Sequence, residues 1–268
     1  MNMFYKMWMD ATNNKNDYVP TEVHWSEVPG RDEAWKEQTI RNTSEAQFQT
    51  EFECEFLGSV DTLINPSKIK TMAVIDPKRS PMGLDVYEMP IKEHTYTMTV
   101  DVSRGLSNDY SAFCIVDVTQ TPYKLVAKFR DNEIKPLLFP SVIEKVAKVY
   151  NNAFVLVEIN DLGQQVADNL QFELEYDNMM MVTQRGRSGQ VLGGGFSGRG
   201  NQLGLRMTKG TKKIGTSNMK SLIEGDKLVI NDFDVIAELS TFISKGKSFE
   251  AEAGATAVSY THLRAHET

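Results

Sequence analysis

Little in this 268-residue sequence points to secretion, to a membrane or to covalent catalysis. Its two cysteines, Cys54 and Cys114, cannot build a disulfide framework and are expected to be reduced, with Cys114 inside an apolar strand. No apolar run approaches the ~20 residues that a membrane span needs; residues 153–157 are among the longest runs present. Residues 1–10 lack the basic-then-apolar order of a secretory signal. There is no GxxxxGK(S/T) phosphate loop, so this chain alone is not expected to hydrolyse ATP. There is no GxSxG motif or Cys/His pairing either, and His24 and His94 fall at no metal-ligand spacing. What remains is ordinary globular composition, 41% hydrophobic and 24% charged, which excludes a disordered or fibrous chain. The length suits one large domain, or a domain plus part of another.

A formal charge of −7 argues against a wholly basic nucleic-acid binder, but the charge is unevenly placed. Residues 178–223 contain no Asp or Glu. They carry Arg185, Arg187, Arg199, Arg206, Lys209, Lys212, Lys213 and Lys220, a local +8. Basic and glycine-rich, this window suits a loop or hairpin lying on a phosphate backbone, where each neutralised phosphate releases counterions; the alternative is a solvated surface loop. Gly193, Gly195 and Gly198 repeat the spacing of a dinucleotide fingerprint. Such a fingerprint must follow a strand and open a helix, and here polar and basic residues flank it.

Residues 1–60 hold all three tryptophans, Trp8, Trp25 and Trp35. Helical spacing of apolar residues over 32–43 and 44–56, with Ser44 as an N-cap, predicts two helices. The segment is too short and polar to bury a large core alone. Residues 61–94 carry four of the nine prolines and read as a linker into a new domain. Three strands are expected over 95–102, 112–118 and 124–130. An amphipathic helix over 139–150 and a fully buried strand over 154–159 follow. Further elements are a helix over 162–174, a helix near 217–224, a strand over 227–230 and a helix over 233–243. The order predicts an α/β domain on a mixed sheet.

Asp101 ends the first strand in TVDVSRG, and Glu158 ends the fourth in VLVEIN. A carboxylate beside a sheet core is costly unless it finds a partner. Two such acids suit a hard divalent cation, Mg²⁺ or Mn²⁺, and a pair of ions can assist phosphodiester hydrolysis. Two structural acids bonded to backbone amides are the alternative.

Several long segments carry a family resemblance. FYKMWMDA, VHWSEVPGRDE, QTIRNTSEAQFQTEFECEFLGS and TLINPSKIK resemble the end of the ATPase region of tailed-phage large terminases. TVDVSRGLSNDYSAFCIVDV, VLVEINDLGQQVADNL, TKGTKKIGTSNMKSLIEGDKLVI and KSFEAEAGAT resemble the terminase nuclease domain, in order, with terminases of the T-even-like myoviruses as the particular match. The resemblance implies residues 1–60 as the end of the ATPase region, 61–94 as linker and entry, and 95–256 as an RNase H-like (integrase/resolvase-type) nuclease domain, truncated at its C-terminus. It implies endonucleolytic cleavage of concatemeric double-stranded DNA at a three-carboxylate, Mg²⁺-dependent site. The first two acids match Asp101 and Glu158. Asp109 matches a further acidic position near the metals, or is otherwise a solvent-facing turn residue. Arg185, Arg187, Arg199, Arg206, Lys209, Lys212 and Lys213 match the region presented to DNA, while Trp25, Trp35 and Arg41 match structural residues. A portal protein, a small terminase subunit, a ring at the portal and the host cytoplasm are implied as setting, with ATP handled by a preceding domain.

The sequence departs from the family where the third carboxylate is expected, in an Asp-Asp pair just after KSFEAEAGAT. It has Ala257 and then VSYTHLRAHET, which resembles an in-frame translation of a transposon-type sequencing-library adaptor. The spacing of His262 and His266 there lacks the helix pattern and third ligand of a metal site. With two of three acids, this chain is expected to show weak nuclease activity or none. A non-catalytic DNA-gripping or motor-docking module is the alternative function. Another RNase H-like enzyme, a resolvase or transposase, fits poorly with the ATPase-like first 60 residues.

Overall fold

A computed structural model describes residues 7–8, 11–12, 15–53, 62–81, 83–106, 109–184, 190–193, 201–240, 242–245 and 248–251. The chain divides into two units, residues 1–62 and 63–268. In the first, a 3₁₀ turn at Trp25–Glu27 precedes α1 (Glu33–Asn42) and α2 (Glu45–Glu51). Both helices start where side chains cap them: Asp32 accepts the Trp35 N–H at 2.9 Å, and Ser44 accepts that of Gln47 at 3.1 Å. Its small core is aromatic. Trp25 and Trp35 lie 6.2 Å apart, Phe52 meets Trp35 edge-on at 5.3 Å, and the Arg31 guanidinium covers Trp35 at 4.6 Å.

In the second unit, α3 (Pro66–Thr71) is followed by β1 (Lys78–Arg79) and β2 (Leu84–Val86). Next come β3 (Tyr96–Asp101), β4 (Ser111–Asp117), β5 (Tyr123–Asp131), α4 (Phe139–Val149) and β6 (Phe154–Val157). Then α5 (Gly163–Asp168) runs on into a π turn, Asn169–Glu173, closed by the Leu174 N–H on the Asn169 carbonyl at 3.0 Å. Three short strands follow, β7 (Met181–Gln184), β8 (Gln190–Gly193) and β9 (Asn201–Leu203). The chain continues through α6 (Lys209–Glu224), β10 (Leu228–Val229), α7 (Phe233–Ser240), β11 (Phe242–Lys245) and β12 (Ser248–Ala251).

The main sheet has the order β1-β2-β5-β4-β3-β6, with β10 also pairing along β5. β3, β4 and β5 are antiparallel neighbours, and β6 returns parallel to β3, which makes the sheet mixed as expected. Residues 78–86, expected in the proline-rich linker, supply β1 and β2 to this sheet. The sheet is covered because its strands are apolar on both faces; every residue of β4 is buried. Met98, Val100, Phe113, Ile115, Phe129, Val155 and Val157 form one face, packed with Phe139, Ile143, Val146 and Tyr150 of α4 and with Val166 and Leu170. By strand alternation the other face carries Thr99, Cys114, Lys128 and Leu156. Cys114 is a free, buried thiol, its pKa pushed up by burial; Cys54 lies outside the described residues.

On that second face Lys128, almost fully buried, pairs with Asp232 at 2.5 Å and Asp234 at 2.9 Å. Asp232 also caps α7 through the Val235 N–H at 2.7 Å and accepts the Tyr87 hydroxyl. No helix among the described residues is long and apolar enough to cross a membrane.

Candidate active site

The parallel register of β3 and β6 runs from Thr97 opposite Phe154 to Val100 opposite Val157. Asp101 and Glu158 therefore come next on neighbouring strands, and the Glu158 N–H donates to the Val100 carbonyl at 2.8 Å. Alternation puts both side chains on the face of Thr99 and Leu156, away from α4. Both are half-buried. Two acids 57 positions apart thus stand side by side where the strands end.

The outer flank of β6 is also paired. Val155 donates to the Asn178 carbonyl and Met180 to that of Val155, both at 2.8 Å; Leu205 donates to Val157 at 2.8 Å and Ile159 to Leu205 at 3.0 Å. These bonds root the chain just before β7 and just after β9 against β6 and Glu158. Two glycines make the approach possible. Gly204 has φ +76°, and a Cβ there would stand 2.4 Å from the Val157 carbonyl oxygen. At Gly163, which opens α5, a Cβ would stand 1.8 Å from the carbonyl oxygen of Glu158 itself.

The loops beyond the two acids are tied to each other. The Ser103 N–H donates to Ser111 Oγ at 3.0 Å, fixing the chain two residues past Asp101. Arg104 grips Asp161 with two bonds, Nε to Oδ2 at 2.8 Å and Nη2 to Oδ1 at 3.1 Å. That guanidinium holds the Asp161 carboxyl below the usual carboxylate range. Asn160 Nδ2 donates to Glu158 Oε1 at 3.3 Å and to the Met207 carbonyl at 3.1 Å, while its Oδ1 accepts the Met207 N–H at 3.1 Å. Sequence reasoning passed over Arg104, Asn160, Asp161 and Gly163. Their only signal was adjacency to the two acids; the partners that reveal them, Met207 for Asn160 and the Arg104–Asp161 pair, lie 47 and 57 positions apart.

Asp109 lies exposed in the β3–β4 loop. Among the described residues no three His, Cys, Asp or Glu side chains gather into a metal-sized group, so Asp109 does not complete a triad with Asp101 and Glu158. The basic window is more ordered than a loop or single hairpin. Part of it forms β7, β8 and β9, and α6 begins at Lys209, eight residues before the helix expected from the apolar spacing. The Thr208–Thr211 capping box favours the earlier start by satisfying the backbone N–H groups of Thr208 and Thr211. Lys209 and Lys213 are exposed on the first turns, and Lys212 is half-buried with its Nζ 5.9 Å from the Phe242 ring centre. Arg206 is exposed just past the strand contact at Leu205. Lys220 turns inward, donating to the Leu63 carbonyl at 2.8 Å. Arg185, Arg187, Arg199, Ala257, His262 and His266 lie outside the described residues.

A mixed sheet of three antiparallel strands, joined on one side by a parallel strand after a helical crossover, with acids on the two adjoining strand ends, defines an RNase H-like domain. The family model described as Terminase RNaseH-like domain matches residues 98–266, and the chain belongs to that family. It therefore carries the RNase H-like domain of a terminase. The large terminase nuclease of thermophilic phage G20c, solved with bound cobalt, is 17% identical, with a TM-score of 0.58 over 77% of this chain and 96% of that one. The same nuclease with bound magnesium gives 16% identity and a TM-score of 0.58, again over 77% and 96% of the chains. The nuclease domain of the Thermus phage P74-26 large terminase gives 17% and 0.53, covering 75% of this chain and 92% of that one. At these identities the likeness is one of fold.

Proposed function

We propose that this chain is the nuclease part of a tailed-phage large terminase of the T-even-like type, and that it cuts concatemeric double-stranded DNA with divalent metal. The observation that carries this reading is the juxtaposition of Asp101 and Glu158 on adjoining parallel strand ends. Their donor set is two hard carboxylates, half-buried and on one face, which suits Mg²⁺ with Mn²⁺ as a substitute. The G20c nuclease, solved with magnesium and with cobalt, supports a divalent ion. Bound there, the ion would offset charge on the scissile phosphate and lower the pKa of an attacking water. The chain's own contribution is to fix both carboxylates, through β-pairing on both flanks of Glu158 and through Ser103 beyond Asp101. Asp109 is the peripheral acid of the site.

Arg206, Lys209, Lys212 and Lys213, with Arg185, Arg187 and Arg199, bind the DNA backbone, Lys209 to Lys213 at the positive N-terminal end of α6. Backbone contacts of this kind position DNA without reading sequence. The nuclease domain is assigned to residues 95–256, with 61–94 leading into it and 1–60 ending an ATPase region. ATP is used by a preceding domain. Portal protein and small terminase subunit are the partners of a ring in the host cytoplasm. Residues 258–268 are read as adaptor-derived, and position 257 as the site of the third carboxylate in the native gene.

A second reading, a DNA-gripping or motor-docking module, is favoured by Ala257, which stands where the resemblance places the third carboxylate. Nicking of supercoiled plasmid in Mn²⁺ separates the two. The chain as it stands is expected to cut weakly or not at all. Ala257→Asp with Val258→Asp should raise cutting, and Asp101→Ala or Glu158→Ala in that background should return it to zero. Salt-sensitive DNA binding that survives Asp101→Ala, with no cleavage by either chain, would favour the gripping module.

A further inference from the structure

We propose that Asn160 is a positioning residue for Glu158: its side chain sets the carboxylate's orientation and ties it to the root of the basic segment. The inference rests on the metal-dependent reading above and adds to it a named neutral residue. The Asn160 amide uses three of its four hydrogen-bonding positions in two directions. Toward Met207 it behaves like a strand residue, donating to the carbonyl at 3.1 Å and accepting from the N–H at 3.1 Å. That two-point grip prolongs the ladder that Ile159 makes with Leu205. It also fixes the plane of the amide, so the remaining Nδ2 proton has one direction left, toward Glu158 Oε1 at 3.3 Å.

The consequence is chemical as well as geometric. A carboxylate that shares one oxygen with a fixed donor presents its other lone pairs in a set direction, so a cation meets an oriented ligand instead of a rotating one. The donor is neutral, so this bond itself brings no positive charge to Glu158; an Arg or Lys in the place of Asn160 would compete with the metal. Met207 immediately precedes Thr208, the cap of α6, and follows Arg206. One side chain therefore links the second acid to the point where the basic helix starts, 47 residues away.

The test uses the full chain and Mn²⁺ itself as probe, with free ion followed by electron paramagnetic resonance in the absence of DNA. Wild type should bind Mn²⁺ in a way that Glu158→Gln weakens. Asn160→Ala should weaken it about 10- to 100-fold, the range typical for residues that orient a ligand, with binding of duplex DNA in EDTA changed by far less. Wild-type affinity in Asn160→Ala would overturn the positioning role and leave the nuclease reading intact. Equal Mn²⁺ binding by wild type and Glu158→Gln would sink the metal reading, and this inference with it. Should Asn160→Ala fail to fold, the wild-type side-chain amide answers the question. In a ¹⁵N spectrum the Asn160 Nδ2 resonance must move on adding Mg²⁺ and move again in Glu158→Gln; an amide indifferent to both overturns the proposal.

Discussion

Two groups of charges share one face of the main sheet and behave differently. At its centre, Lys128 is enclosed with Asp232 at 2.5 Å and reaches the exposed Asp234 at 2.9 Å, and Asp232 is further held by Tyr87 and by the cap of α7. At the strand ends, Asp101 and Glu158 stand half-buried and in parallel, with a neutral amide on Glu158. Charge sealed in a low-dielectric interior persists only when balanced there. The Lys128 cluster is therefore complete within the fold, and its job is to join α7 to β5. Two carboxylates where the strands run out are reachable from solvent, and like charges so placed suit an added cation. Near-complete burial of Lys128 and Asp232, against the half-burial of Asp101 and Glu158, separates the structural ion pair of this sheet from the candidate functional acids.

The strongest way to break that comparison is Lys128→Met. Removing the cation leaves Asp232 enclosed without its partner, which costs about 3–5 kcal/mol for a buried pair. Thermal unfolding reads the result. A shift worth less than 1 kcal/mol would mean that the central cluster is no more structural than the strand-end pair. Mn²⁺ binding by any folded Lys128 variant should match wild type, since the cluster lies a row away from the acids.

Gly163→Ala sharpens the other side. A methyl group 1.8 Å from the Glu158 carbonyl forces the strand end or the start of α5 to shift. Overpacking of this kind costs about 1–3 kcal/mol, more than alanine recovers in helix propensity. The expected signature is a lower unfolding midpoint together with weakened Mn²⁺ binding. Unchanged metal affinity would show that Glu158 tolerates displacement of its own backbone.

The smallest effect concerns a third charge, at the opposite end of the sheet. Burial pushes the Asp117 carboxyl up, but hydrogen bonds from His94 at 2.6 Å and from the Thr119 hydroxyl and N–H outweigh it, and the net pKa is lowered. A depressed carboxylate stabilises the fold above its unfolded pKa, about 3.9, and that stability is lost as pH falls through the lower folded value. Asp117→Asn should therefore flatten the pH dependence of unfolding below about pH 4. An identical acid slope in the variant would remove Asp117 from the account.

Much of the frame was legible because strands and helices announce themselves by period. The apolar run of β6, the alternation of β3 and the amphipathic α4 can be read directly, and Asp101 and Glu158 stand out as acids closing apolar strands. The capping box that starts α6 at Lys209 was missed because Gly210 and the lysines hide the helix behind a composition that suits a loop. Residues 78–86 read only as part of a linker and domain entry, because two- and three-residue strands carry no detectable period. Asn160 was invisible for a different reason: nothing in EIND says that an amide will meet Met207.

By itself, then, the sequence determined the order of the central strands and the main helices, the acids at two strand ends and the concentration of positive charge after residue 178, since each is a local pattern in the chain. Only the tertiary structure decided that β3 and β6 are neighbours in register, that Lys128 is neutralised by α7, and that Asn160 joins Glu158 to the basic helix. Those outcomes depend on contacts between residues 47 to 106 positions apart. Distant pairings are settled by packing and backbone hydrogen bonding across the whole sheet, which no local pattern encodes.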